Sequence, residues 1–149
     1  MLRRQLRYFL IIIFSSLLSI DSMAEERYLN FMNLSSRDGL SSNIVNIILK
    51  DRYGFMWFGT DDGLNKFDGK EFKVYKHNSE DPSTIPTNEI VDLHEDKKGN
   101  LWIATGEGLV LYDRKTDSFK KFEESTRMVL TAIHSDQLGN IWLTGIMEY

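Results

Sequence analysis

The chain has 149 residues, with 22 acidic against 18 basic side chains, a formal net charge of −4, 42% hydrophobic residues and only two prolines. That balance suits a folded domain and excludes a disordered or collagen-like polymer, and an acidic chain without a run of four basic residues gives nucleic acid no electrostatic footprint. The sequence contains no cysteine, which excludes disulfides, thiolate metal sites and a cysteine nucleophile but leaves export open, because a sufficient core needs no staples.

At the start of the chain, Arg3, Arg4 and Arg7 precede Tyr8 to Ile20, an uncharged and mostly apolar stretch of 13 residues, and Ser22-Met23-Ala24 then stands before Glu25-Glu26. Basic start, greasy stretch and small-x-small site are the order of a secretory signal. The stretch is short of the roughly 20 apolar residues that span a bilayer. Residues 1–24 are therefore predicted to be a signal peptide cut between Ala24 and Glu25, leaving residues 25–149 outside the cytoplasm, periplasmic or extracytoplasmic. An uncleaved anchor is the alternative. Residues 28–34 (Tyr28-Leu29-Asn30-Phe31-Met32-Asn33-Leu34) then read as one isolated lead strand.

From residue 43 onward the chain repeats itself. Asp51-Arg52-Tyr53-Gly54-Phe55-Met56-Trp57, Asp96-Lys97-Lys98-Gly99-Asn100-Leu101-Trp102 and Asp136-Gln137-Leu138-Gly139-Asn140-Ile141-Trp142 share the pattern D-x-x-G-x-h-W, where h is apolar. The tryptophans are 45 and then 40 residues apart. Ile48, Leu93 and Ile133 stand nine residues before each Trp, and Val45, Ile90 and Leu130 twelve before. Gly63-Leu64 and Gly108-Leu109 follow the first two tryptophans at one offset.

Within each unit, Asp at the first position and Gly at the fourth suit a tight turn whose carboxylate accepts backbone N–H groups and whose glycine takes a left-handed φ. The next runs, Phe55 to Gly59 and Leu101 to Ala104, are apolar at successive positions, as expected of strands buried on both faces. A second Gly-closed turn ends at Gly63 or Gly108. Third strands follow at Leu64 to Phe67 and Leu109 to Tyr112, and fourth strands at Phe72 to Tyr75 and Phe119 to Phe122. The spacing of three between Val45 and Ile48 does not fit one face of a regular strand, so a bend is predicted there. Four short strands per 40–45 residues is the arithmetic of a propeller blade. The predicted fold is all-β: an incomplete β-propeller with blade repeats at 43–75, 88–122 and 128–149, two full four-stranded blades and part of a third. In a closed ring the lead strand would complete the last blade.

On these residues the chain resembles the two-component regulator propeller repeat, whose signature runs roughly N-x-V-x-x-I-x-x-D-x-x-G-x-L-W-I-G-T-x-x-G-L. Asn43 to Leu64 and Asn88 to Leu109 follow it almost throughout, and Leu130 to Gly145 follows its first two-thirds. The resemblance implies an extracytoplasmic sensor region of a membrane histidine kinase, many of which are hybrid regulators responding to glycans. An immunoglobulin-like module, a transmembrane helix and a kinase would normally follow. In the third repeat, Glu148-Tyr149 stands where Gly63-Leu64 and Gly108-Leu109 stand in the others. Closed propellers have about 4–8 blades, so the chain reads as a fragment, expected to associate or be degraded when expressed alone because blades bury their apolar faces only against neighbours.

The repeated residues Asp51, Gly54, Trp57, Gly63, Asp96, Gly99, Trp102, Gly108, Asp136, Gly139 and Trp142 are assigned structural roles, with the three tryptophans expected at equivalent buried places. His94 and His134 lie eight residues before a repeat Trp, a recurring structural slot rather than a metal pair, and His77 is placed in a loop without partners. Asp61-Asp62 reads as a solvated turn, and Ser35-Ser36 and Ser41-Ser42 lack the context of a nucleophile. No catalytic, cofactor-binding or metal-binding residue is assigned, and no cofactor. The 76–88 connection is the predicted ligand-contacting loop, its ligand a glycan or other small molecule in the full receptor, and the remaining blades of the parent are the expected partners, with membrane contact only through that parent or an uncleaved signal. The leading function is a non-catalytic extracytoplasmic sensor segment. Alternatives are part of an exported propeller lyase or hydrolase, or a free-standing periplasmic binding protein.

Overall fold

Every strand pairs with its neighbour in sequence. The computed structural model describes residues 31–125 and 128–147, and Asn33–Tyr149 form one compact unit. The predicted signal peptide, with Ala24 and Glu25, lies outside the described residues. The first sheet runs β1 (Val45–Lys50), β2 (Met56–Thr60), β3 (Gly63–Phe67), β4 (Phe72–Tyr75). The second runs β5 (Ile90–Glu95), β6 (Leu101–Thr105), β7 (Gly108–Asp113), β8 (Ser118–Phe122), and β9 (Met128–Ser135) pairs with β10 (Ile141–Met147). All pairings are antiparallel.

Period-two alternation decides which side chain faces which sheet. On β2, Trp57 joins a cluster with Ile90, Leu93, Leu101, Ile103 and Tyr112 of the second sheet, whereas Phe58 turns the other way to Leu40 and Phe67. On β6, Leu101 and Ile103 face the first sheet, while Ala104 and Trp102 pack with Leu130, Ile133 and Ile141 of the third. The three sheets are thus stacked as consecutive blades. Cover on both faces accounts for the unbroken apolar runs of β2 and β6: β6 lies between two blades, and β2 between the second blade and the segment that carries Leu34 and Leu40.

The predicted bend recurs in all three blades. Val45 pairs with Thr60 and Ile47 with Gly59, so Asn46 is the extra residue of a bulge. Val91 and Thr131 are the extra residues at the corresponding places in β5 and β9. The bulge changes the alternation and puts Val45 and Ile48 on one side despite their spacing of three. Opposite the first bulge, the sheets approach so closely that a Cβ on Gly59 would lie 2.5 Å from Ile90 Cγ2 and 2.6 Å from Ile47 Cγ2.

Residues 31–34 form no strand, and residues 28–30 lie outside the described part. The chain instead makes a single 3-10 turn at Ser36–Asp38, with Ser35 and Asp38 exchanging cap hydrogen bonds and Gly39 closing it at φ 106°. Buried Asn65 then takes over the backbone: its Oδ1 accepts from Ser41 N at 2.8 Å and its Nδ2 donates to Ser41 Oγ at 2.7 Å. Leu40, 5% exposed, is held against Phe58 and Phe67. This segment lies on the outer face of the first blade, where the Asn65 side chain takes the backbone N–H of Ser41.

Candidate functional site

The repeated turn does more than close a hairpin. In the first repeat, Asp51 Oδ1 accepts from the backbone N–H of Tyr53 and Phe55, each at 3.0 Å, and Asp51 Oδ2 accepts the Trp57 indole N–H at 2.9 Å. Asp96 and Asp136 bind their turns in the same way and accept Trp102 and Trp142 Nε1 at 3.0 Å. Gly54, Gly99 and Gly139 hold φ of 92°, 87° and 88°, the left-handed region that spares a Cβ. Each carboxylate therefore ties a turn to a face of the following strand. In the second and third repeats Oδ2 also accepts from Asn100 or Asn140 Nδ2, at 2.8 and 2.7 Å. The first repeat has Phe55 at that position, and Arg114 of the second blade donates instead, Nη1 to Asp51 Oδ2 at 2.8 Å.

Gly63 and Gly108, at φ 122° and 109°, close the second turn. Thr60 Oγ1 donates to Gly63 O and accepts from Asp62 N, and Thr105 does the same with Gly108 O and Glu107 N. A Cβ on Gly63 would meet Tyr75 O at 2.8 Å.

The three tryptophans are not equivalent in burial. Trp57 is fully buried, Trp102 is partly buried, and Trp142 is 60% exposed. Trp57 and Trp102 each face a following blade, and among the described residues none covers the corresponding face of β10. The internal position of the indole is repeated, but its burial depends on the neighbour.

Charge and hydroxyl groups seal the seam between the first two blades. Arg114 also reaches Glu95 at 3.2 Å and lies 4.5 Å over the Tyr53 ring, while Arg52 pairs with Glu95 at 3.3 Å and donates to Asp96 O at 2.7 Å. At the outer edge, Asp117 sits at φ 55°, accepts from the Tyr75 and Tyr112 hydroxyls, and pairs with Lys73. Trp57, Tyr75, Tyr112 and Phe119 stack below, Trp57 to Tyr112 edge-on at 5.0 Å.

These contacts set the protonation states. Burial works against ionising Asp51, but the Trp57 indole, the Arg114 guanidinium and the Phe55 N–H outweigh it and hold the carboxyl below its ordinary range. Burial likewise opposes ionising Asp117, and Lys73, Tyr112 and Tyr75 overcome it to bring that carboxyl down to about 2. Tyr112 is pushed up to about 12 by burial and by donating to Asp117, and Tyr75 is raised by burial and the same partners. A carboxyl with a depressed folded pKa contributes stability above its unfolded pKa of about 3.9 and loses that contribution as pH falls through the folded value. The thermal midpoint is therefore expected to fall between about pH 4 and pH 2, and Asp117→Asn should flatten that fall. An acid limb unchanged in the variant would remove this carboxylate as a source.

The histidines occupy structural places. His94 Nε2 meets Ser135 Oγ at 2.7 Å across the second seam, and its ring lies 5.6 Å from that of His134. Burial first, and the facing His134 second, lower its pKa. His77 is not without partners: its Nδ1–H donates to Ile85 O at 2.9 Å and its backbone N–H to Asn88 Oδ1 at 2.8 Å. Asp62 is not simply solvated either, since it pairs with Lys76 at 2.6 Å and accepts from Asn88. Much of the 76–88 connection is thereby built into the first seam, with Ile85 fully buried and Ser83 O accepting from Phe119 N at 2.8 Å. Residues 76–80, 82 and 83 are exposed, and Asn78 and Thr84 hold the loop together. Pro86 lines a hollow of about 380 Å³ with Glu107, Leu109 and Lys121. Among the described residues no group of three or more His, Asp or Glu is placed to hold a metal ion.

Comparison with known proteins agrees with this geometry. The chain is 43% identical over 82 residues to Histidine kinase P4 of Formosa agariphila, covering 55% of the chain and 6% of that kinase. Its fold matches the crystal structure of the extracellular domain of a protein assigned as a hybrid two component system from B. thetaiotaomicron, at 34% identity and a TM-score of 0.65, over 75% of this chain and 17% of that one. A second extracellular domain from that organism, assigned as a one component system, matches at 25% identity and a TM-score of 0.64, over 80% of this chain and 18% of that one. The chain thus spans a small part of each relative. Residues 39–62 and 84–107, which hold the first two Asp–Trp turns, match the two component regulator propeller, and in these repeats the chain is similar to that family.

Proposed function

We propose that this chain is a non-catalytic segment of an extracytoplasmic sensor, supplying blades of a ligand-binding propeller to a two-component receptor whose full-length form is a sensor histidine kinase. The observation that carries the reading is the stack of repeats packed as consecutive blades, in a chain similar to extracellular domains of two-component and one component systems. The polar side chains of the seams are taken up in holding blades together: Asp51, Asp96, Asp117 and Arg114 each have two or more protein partners. They serve as structural ties. Export by residues 1–24 puts these blades outside the cytoplasm, and the ligand is a glycan or another small molecule reached through the loops.

The test uses the full-length protein in its native host. N-terminal sequencing should find the mature chain beginning at Glu25, and external protease should cut the propeller in cells whose outer barrier has been opened. Deleting residues 43–122 should abolish the ligand-dependent transcriptional response while leaving basal kinase autophosphorylation. A response that survives the deletion, or blades protected inside the cytoplasm, would overturn the reading.

A further inference from the structure

The turn between β7 and β8 opens a cleft of about 420 Å³ against the Asp–Gly turns of the first two blades, lined by Tyr53, Lys98, Asp113, Arg114, Lys115 and Lys120 among others. Its volume falls in the range of small-molecule sites, roughly 300–1,000 Å³. The cations in it are of two kinds. Arg114 is saturated by Asp51, Glu95 and Gly99 O, and forms a wall with the Tyr53 ring. Lys98, Lys115 and Lys120 have no carboxylate within ion-pair distance among the described residues. Three ammonium groups thus share one recess with a single lining carboxylate, Asp113, and Lys120 lies 5.6 Å over the Phe122 ring, so the recess keeps an excess of positive charge in a chain of net charge −4.

The first repeat provides an internal comparison. Its corresponding hollow is lined by Phe55, Lys66, Asp68, Glu71, Phe72 and Lys73. There the cations are matched: Lys73 pairs with Asp117, Lys66 lies 3.9 Å over the Phe55 ring, and two acids line the wall. By register Lys120 stands opposite Leu111 as Lys73 stands opposite Lys66. The β7–β8 turn of the second repeat is two residues longer, and its extra length brings in Arg114 and Lys115. The same slot is therefore balanced in one repeat and cationic in the next. Mutual repulsion of the three lysines is relieved by an anion.

We propose that this cleft binds a small organic polyanion, a ligand carrying two or more carboxylate or sulfate groups. The site is read by direct binding and does not depend on the sensor reading. The probe is citrate, titrated calorimetrically into the full-length protein at low and at raised ionic strength, with glycerol as the uncharged control. The triple variant Lys98→Gln, Lys115→Gln, Lys120→Gln changes only exposed side chains and should retain the thermal midpoint. It should weaken citrate about tenfold or more, whereas Arg37→Gln, Lys50→Gln, Lys70→Gln, which removes the same charge elsewhere, should leave affinity within about twofold. Raised salt should weaken the wild type and bring it toward the triple variant. Absence of citrate binding, equal binding by the cleft variant, or an equal loss in the control variant would overturn the proposal.

Discussion

Trp57→Ala is expected to lower the unfolding free energy of the full-length protein by about 3–5 kcal/mol, the range for deleting a large buried aromatic. The indole is fully buried and touches the rings of Tyr75, on β4 of the same blade, and Tyr112 of the neighbouring blade. Its removal opens a cavity at the first seam and frees Asp51 Oδ2 from one of its two donors. The comparator is Leu138→Ala, 89% exposed, which should change stability by no more than about 0.5 kcal/mol. Denaturant titration measures both. Equal midpoints for Trp57→Ala and wild type, accompanied by lost ligand binding, would make Trp57 a ligand contact instead of a packing residue.

The second large effect belongs to Asp51. Asp51→Ala leaves four donors without an acceptor: the N–H groups of Tyr53 and Phe55, the Trp57 indole and one Arg114 nitrogen. Removing one partner of a buried charge pair costs about 3–5 kcal/mol, and the fully buried Asp51 carboxylate faces a partly exposed Arg114, so the loss should fall near the lower end. Asp51→Asn keeps an oxygen for the backbone but turns an amide N–H toward one of the remaining donors, so it should rescue only part of the loss. Asp96→Ala should cost less, because its carboxylate accepts from Asn100 Nδ2 where Asp51 accepts from an arginine of the next blade. If Asp51→Ala and Asp96→Ala shifted the denaturation midpoint equally, the arginine across the seam would have no part in the effect.

Much of the blade was legible before any coordinates because its signals are local. Asp and Gly three apart announce a turn, successive apolar residues announce a doubly covered strand, and the Val45–Ile48 spacing announces the bulge. What escaped depends on partners distant in sequence or on the main chain. The Asp–Trp hydrogen bond has a fixed spacing of six, and that spacing was visible three times, but turn chemistry alone gave the carboxylate a sufficient role. His77 binds a backbone carbonyl, which leaves no mark in the residue alphabet. Arg114 replaces an asparagine amide missing from the first repeat, across 63 positions. Asp117 gathers Lys73, Tyr75 and Tyr112 from two blades, and nothing in its own surroundings foretells that. The exposure of Trp142 follows from its neighbours and not from its motif.

The strictly sequential strand order has a kinetic side. Hairpins that join neighbours in sequence close short loops, so the entropy lost in forming each blade is regained quickly. The contacts between blades, such as Arg114 with Asp51 or His94 with Ser135, span 63 and 41 residues. Each blade can therefore gather its own strands before docking, and the seams are where cooperativity between blades is decided. Amide hydrogen exchange would then rank the strands by cover: protection highest in β2 and β6, covered on both faces, and lower in the edge strand β4, where Lys73 and Val74 are exposed.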